Sequence, residues 1–585
     1  MNYTSREVYE FISKQTHDLI VERKTCTVSG QPFAIFQSDL DFYTKISPTF
    51  DWRKFQIPTP TLCPEERLRR RLLFKNERKL FRSTCWLSGR SIITTHAPNK
   101  WFTVYGVQER RSDKRNPMDY GRNYNSEMSF FEQYNNLYRS VPQIAMLNDN
   151  GVSSENIEYC QNVAYSKNCY LTTVAWKLEN TYYSSNMAWW ERLVDCFFTM
   201  ESQHCYECTD SNHLYACFWL SYSYECQRCY FWQNLIGCKD CIWCVNLSNK
   251  QFYIFNEQYT KEEYEKEKER ILLILRTNPA QLKQKFNDFV SKQVHKATST
   301  NNAINTYGSN LYNAQNAIMS YNIQNARDTK YCIFGDTITD AMDLTVGWEL
   351  ELCYESNVPD HSYKTCFSVF CRSCTNVLYS EMCHHCQDCF GCVGLRNKQY
   401  CILNKQYTKE EYEMLVATII THMQNTWERW QFFPFRVAPY DYNISTVMDY
   451  FSLTSWQAKE SWYTRYDQVE EINIPEWIKL ISADTLPLDS TMISNDIIHD
   501  AIVCEISQRP FRILKSELEF YKKWWLPFPR KHPDIRFEER IKRMPSKHLY
   551  LRTCDYSGET MLSVYPIWEP FPVYNEESFN KIFYS

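Results

Sequence analysis

The sequence predicts a mainly β protein with helices: a duplicated, cysteine-rich β-solenoid flanked by two copies of a smaller terminal module. Three observations carry this reading. First, residues 249–265 recur 148 positions later as residues 397–413, and the same offset carries Cys238, Cys241 and Cys244 onto Cys386, Cys389 and Cys392. Second, the ends mirror each other: Cys26, Phe33, Asp39 and Tyr43 share their internal spacing with Cys504, Phe511, Glu517 and Tyr521, and Pro60, Cys63 and Arg67 match Pro529, His532 and Arg536. Third, the cysteines of the first central copy fall at 160, 169, 196, 205, 208, 217, 226, 229, 238, 241 and 244, all separated by multiples of three.

In a straight strand, residues three apart face opposite sides, so each Cys-x-x-Cys must straddle a corner. Short strands joined by tight corners, with small residues stacked rung upon rung, describe a solenoid in which each coil buries its inner face against its neighbours. The expected organisation is an N-terminal helix (1–20), a first terminal module with a basic helix (21–110), solenoid copies at 155–258 and 305–406, a helical connector (259–298), a helix (407–432), a linker region (433–498) and a second terminal module (499–580). The helices after each copy are announced by Thr-x-x-Glu capping boxes, Thr260 with Glu263 and Thr408 with Glu411.

Composition narrows the function classes. With 585 residues the chain can hold several domains of roughly 100–200 residues each. No run of about 18 apolar residues is present, and the first residues lack the apolar block of a secretory signal. A cytoplasmic location with no membrane partner is therefore expected, where 26 cysteines read as reduced thiols. The net charge of −4 provides no global field for nucleic acid. The 12 glycines form neither a phosphate-binding loop nor a nucleophile elbow, and no His-Glu-x-x-His occurs. These absences favour a non-enzymatic binding or scaffold protein.

Two candidate sites follow. Arg67, Arg69, Arg70, Arg71, Lys75, Arg78, Lys79 and Arg82 stand against one acid, Glu77, and with Leu68, Leu72, Leu73 and Leu80 they predict an amphipathic helix with a cationic outer face. Such a face would contact the phosphates of RNA or DNA; a protein–protein assembly role is the alternative. The densest thiol cluster, Cys383, Cys386, Cys389 and Cys392, reads as packed small hydrophobes or, in a metal-binding or redox protein, as ligands of zinc or an iron–sulfur cluster. No cofactor is required by the sequence, and zinc is the metal these spacings would suit best.

The pattern Cys26-x-x-Ser29-Gly30 with Phe33, Asp39, Phe42, Tyr43 and Pro60-x-x-Cys63-Pro64-x-x-Arg67 resembles the zinc-ribbon, treble-clef-like module of a family of uncharacterised cysteine-rich proteins of candidate-phylum bacteria. The resemblance implies an architecture of terminal ribbons around a repeat centre. Here the second knuckle positions are Ser29, Glu66, Ser88, Ser507, Ile535 and Ser557, and His532 replaces a first cysteine, so the modules are expected to be degenerate and metal-free. Glycine is scarce and 18 residues are tryptophan. Trp243 stands where the second copy has Gly391, and Trp525 where the family favours glycine before Leu-Pro, which raises the expectation that some tryptophans are UGA codons read as glycine.

Overall fold

In a computed structural model, residues 3–112, 115–347, 350–468 and 473–584 are described. Strand exceeds helix, and two large sheets dominate: one of fifteen strands between Glu155–Glu158 and Glu257–Gln258, and one of nine between Thr300–Ile304 and Lys405–Gln406. Apart from the last strand of each sheet, neighbouring strands run parallel, and paired residues are twelve apart, Thr173 with Ser185, Cys229 with Cys241, Cys389 with Cys401, except at the start of the second sheet, where Thr300 pairs with Leu311.

The backbone explains the three-residue spacing. From Asn156 to Phe255 every third residue has a positive φ, and the same period runs through the second stack from Asn310 to Val346 and from Leu352 to Leu403. These left-handed residues are the corners, and the residue after each corner points inward. In the first stack all eleven cysteines occupy that following position. All are buried, packed with Leu193, Leu214, Leu220 and Leu235. The thiols approach carbonyls along the chain and, in most cases, also across a rung: Cys208 Sγ lies 3.6 Å from the carbonyl of Tyr206 and 3.3 Å from that of Cys217. Corner residues point outward. Asparagine tolerates the left-handed region best among non-glycine residues, and on exposed corners it forms ladders, Asn156 to Asn168 to Asn180.

The repeated phrase at 249–265 and 397–413 ends each stack. The last parallel strand turns back antiparallel, Tyr253 with Gln258 and Cys401 with Gln406, and Asn256 and Asn404 bond both backbone groups of Val245 and Val393. The turn-back covers the open sheet edge, which would otherwise template pairing with another chain. Both capping boxes form and start the helices Lys261–Thr277 and Lys409–Asn425.

The two stacks lie side by side in opposite directions. Trp176 meets Arg372 at one end, Phe197 meets Phe334 in the middle, and Tyr224 stacks on Tyr312 at the other. Between them Asp210 accepts from Asn310 and Asn322, and Asn212 donates to Gln324. The terminal modules are cross-paired. The first packs in one apolar cluster with the second stack, Tyr43 and Phe36 alongside Tyr354 and Phe367; residues of the second, Phe520 and Tyr521, join Tyr206 and Phe218 of the first stack.

One buried acid lacks a counter-charge in this packing. Burial pushes the carboxyl of Glu381 from its ordinary 4.5 up to about 8, while the hydroxyl of Tyr138 donates to it. The equivalent residue of the first stack is Gln233. Because the folded-state pKa lies above the unfolded one, this group's contribution is complete below about pH 4.5 and is lost as pH rises through 8. Glu381→Gln should therefore match wild type near pH 4.5 and exceed it at pH 8.5 by up to about 5 kcal/mol in urea unfolding.

Outside the two stacks the described residues with positive φ, other than glycine, are His17, Asp51, Trp52, Trp101, Trp427, Trp430, Trp462, Gln508 and Trp525. Six of these nine are tryptophan, a bulky residue for which this region is an outlier. Trp427, Trp462 and Trp525 each follow a helix end where the next amide reaches back five residues, Glu428 to Met423, Tyr463 to Ala458 and Leu526 to Tyr521. That geometry normally places glycine at the left-handed residue.

Candidate functional site: docking hubs, thiol-bearing hairpin turns and an aromatic groove

The basic stretch does not form one outward-facing cationic helix. The helix is Pro64–Leu72, and Arg67, Arg69, Arg71 and Lys75 are buried. Arg67 Nε bonds Asp343 Oδ2 at 2.8 Å and Arg71 Nη1 bonds Asp343 Oδ1 at 3.1 Å, with all three side chains almost fully enclosed. Arg70 reaches both oxygens of Glu355 at 2.8 Å, and Arg69 pairs with Glu66 at 3.1 Å. Lys75 meets Glu77 at 2.5 Å, while Arg78 and Lys79 meet Asp534 at 2.6 and 3.4 Å. Arg82 alone of the eight is an exposed residue, in the strand Phe81–Thr84. The local charge count failed because Arg67, Arg70 and Arg71 meet stack corners nearly 300 residues away and Arg78 and Lys79 meet Asp534 of the other terminal module, while Glu66 and Glu77 hold Arg69 and Lys75.

The same constellation recurs in the other half. Arg536 and Arg540 converge on Asp195, Arg540 at 2.8 Å, and Glu207 accepts from Arg540 at 3.2 Å and Arg543 at 2.6 Å. Arg67 lies 5.1 Å over the ring of Tyr331, and Arg536 4.6 Å over Tyr183. Tyr43 meets Tyr354 edge-on at 5.3 Å, and Tyr521 meets Tyr206 at 5.7 Å. Asp195, Glu207 and Tyr183 are the first-stack counterparts of Asp343, Glu355 and Tyr331 at the 148-residue offset, and all are left-handed corners. Burial pushes the carboxyls of Asp343 and Asp195 up, and the two arginines on each pull against it. The hubs fasten module to stack.

Four hairpin turns carry the knuckle positions, and each faces the first turn of a helix. Cys26 and Ser29 face Cys63 and Glu66; Cys85 and Ser88 face Gly106 and Glu109; Cys504 and Ser507 face His532 and Ile535; Cys554 and Ser557 face Asn575 and Ser578. Cys63, Gly106, His532 and Asn575 are the N-caps of their helices. The second partners of two turns, Gly106 with Glu109 and Asn575 with Ser578, were missed from sequence because neither pair contains a cysteine. A hydrogen bond from Cys63 brings the Cys26 thiol down to about 4. Burial raises the Cys554 thiol, but bonds from Ser557 and the amide of Asn575 bring it down to about 7. Amides thus take up the thiols: Gly106 N lies 3.3 Å from Cys85 Sγ, and Asn575 N 3.3 Å from Cys554 Sγ.

A structural zinc needs four Cys, His or carboxylate ligands. The first turn brings together two thiols, Cys26 and Cys63, and the nearby Glu66 is held instead by Tyr3 at 2.6 Å and by Arg69. The remaining turns keep one thiol each. Among the described residues no group of three or more His, Cys, Asp or Glu is arranged to hold a metal. Cys383, Cys386, Cys389 and Cys392 lie inside the second stack with Cys371, Cys374 and Cys401. There the Sγ atoms approach carbonyls, Cys392 lying 3.4 Å from Cys401 O and Cys389 3.3 Å from Gln387 O.

Between the first stack, the helices Lys261–Thr277 and Pro279–Val290 and the second terminal module opens a cavity of about 970 Å³, which sequence reasoning did not foresee. Tyr206, Phe231, Phe286 and Phe571 contribute aromatic surface, and Arg530, Lys542 and Arg543 contribute cations. No helix among the described residues is long and apolar enough to cross a membrane. No protein-family model matches the chain, and no curated protein is similar to it.

Proposed function

We propose that the protein is a non-enzymatic binding scaffold: two β-solenoids locked side by side, each braced by a zinc-ribbon-like module that has exchanged its metal for packing and hydrogen bonds. The observation that carries this reading is the duplicated hub. The arginines that give the terminal modules their basic character are spent on Asp343, Glu355, Asp195 and Glu207, so their charge serves assembly of the chain itself. That use favours a protein partner over the phosphate backbone of RNA or DNA. The first-stack thiols support the same reading, since burial pushes those such as Cys226 far above the ordinary range and leaves them poor nucleophiles.

Metal analysis combined with thiol titration tests the reading. Protein purified without chelators is expected to carry no stoichiometric zinc or iron, and its stack thiols should react with a disulfide reagent only after denaturation. Near-stoichiometric metal released together with thiol reactivity would replace the scaffold by a metal or redox protein. Tight oligonucleotide binding that survives 0.3 M salt would restore nucleic acid as the partner.

A further inference from the structure

The two halves treat one equivalent surface differently. In the second half, the face formed by Phe367, Tyr379 and the end of the helix Pro64–Leu72 is covered jointly by Phe130 and Phe131 of the helix Phe130–Ser140 and by this chain's own segment after the helix Lys409–Asn425. Phe433 packs 4.6 Å from Tyr134, 5.7 Å from Phe74 and 6.2 Å from Tyr379. Phe432 lies 5.3 Å from Phe74 and beneath the guanidinium of Arg70 at 5.7 Å. Both phenylalanines are fully buried.

In the first half the corresponding corners are Trp219 and Phe231, and the corresponding helix end is Arg543. There the chain leaves its helix differently. It turns at Asn278 into Pro279–Val290, whose Phe286 ring lies 6.3 Å from that of Phe231, tilted by 56°. The remaining space is the 970 Å³ cavity, and its wall includes Tyr206, Glu207, Trp219, Phe231 and Arg543, the counterparts of residues at or beside the covered face.

We infer that this cavity is a docking groove for an extended segment of a partner protein bearing two consecutive aromatic residues, the pattern Phe432-Phe433-Pro434 shows on the equivalent face. The inference rests on the scaffold reading and supplies its partner class. In the second half two inserted rings fill this position, whereas in the first half Phe231, Arg543 and Glu539 stand where Tyr379, Phe74 and Arg70 hold them; rigid aromatic anchors in a desolvated pocket carry most of the affinity of such interfaces. Exposed cationic and aromatic groups could also stack bases, so an oligonucleotide serves as the competing ligand in the test.

The probe is a fluorescein-labelled peptide with the sequence of residues 428–436, titrated with the full chain by fluorescence anisotropy. Saturable micromolar binding is expected. A peptide with both Phe432→Ala and Phe433→Ala should bind at least tenfold more weakly. Ala280→Trp in the protein adds bulk at the mouth of the groove, at an exposed lining position, without deleting a contact, and should weaken binding by a similar factor. Thermal unfolding of that variant distinguishes a blocked groove from a misfolded chain. Equal affinity of the alanine peptide, undiminished binding to folded Ala280→Trp protein, or displacement of the peptide by a thymidine oligonucleotide would each overturn the groove. Stoichiometric metal would instead overturn the scaffold reading while leaving the peptide result standing.

Discussion

Asp343→Asn is expected to destabilise the protein by about 3–5 kcal/mol, the cost of removing one partner from a buried charge cluster. Asparagine keeps the shape but leaves Arg67 and Arg71 without a carboxylate in a site closed to water. Asp195→Asn should cost about as much, because Arg536 and Arg540 face the same loss. The hubs share no residues, so the double variant should lose the sum if the halves unfold together. Urea unfolding followed by tyrosine and tryptophan fluorescence provides the numbers. A loss below about 1 kcal/mol for either variant would mean that the modules are held by apolar packing alone. The exposed pair Arg6 and Glu10 is the control, and Glu10→Gln should change stability by no more than about 0.5 kcal/mol.

Replacing Trp52, Trp101, Trp427, Trp462 and Trp525 by glycine together should stabilise the protein by roughly 3–5 kcal/mol, about 1 kcal/mol for each relieved left-handed residue. Little packing would be lost, since Trp52, Trp427 and Trp462 are 96%, 92% and 81% exposed. Asp51-Trp52 forms the two-residue turn between Thr49–Phe50 and Arg53–Lys54 with φ of 46° and 61°, where Asp-Gly is the ordinary choice. A matched set of Trp→Ala changes should provide much less, because alanine keeps the Cβ that the left-handed region penalises. These positions are expected to be specified by UGA and to hold glycine in the native protein. Reading the gene at these codons and at 243, with peptide mass spectrometry of natively produced protein, checks it; UGG at all of them would refute it. The docking segment does not depend on this outcome, since its anchors are Phe432 and Phe433 and not Trp430.

How much was legible can be traced to particular residues. The 148-residue repeat, the mirrored ends, the corner between cysteines three apart and both capping boxes are local or periodic signals, and the sequence carries them openly. Ser29, Ser88, Ser507 and Ser557 were readable as equivalent positions because each sits three residues after a cysteine, and each lies in a hairpin turn. The direction in which Arg67 and Arg71 point was not readable, because amphipathicity reports that a helix has two faces and says nothing about an acid at position 343 waiting for the charged one. The cavity was hidden for the same reason: it arises from the divergent paths after two similar helices, a long-range difference between segments whose local signals agree.

The cross-paired hubs bear on how the chain is made. Asp343 appears 276 residues after Arg67, so the second stack can dock as it folds onto a module already complete. Asp195 must wait 341 residues for Arg536, which at about 5–20 residues per second leaves its corner uncovered for roughly 17–70 s. During that interval the only finished module is the N-terminal one, whose arginines and tyrosine match the acids and tyrosines of either stack. The first stack therefore offers the early module a competing partner, and any pairing formed there would have to be undone once the second stack emerges. A ribosome-bound nascent chain is the setting in which the internal symmetry of this protein becomes a kinetic liability.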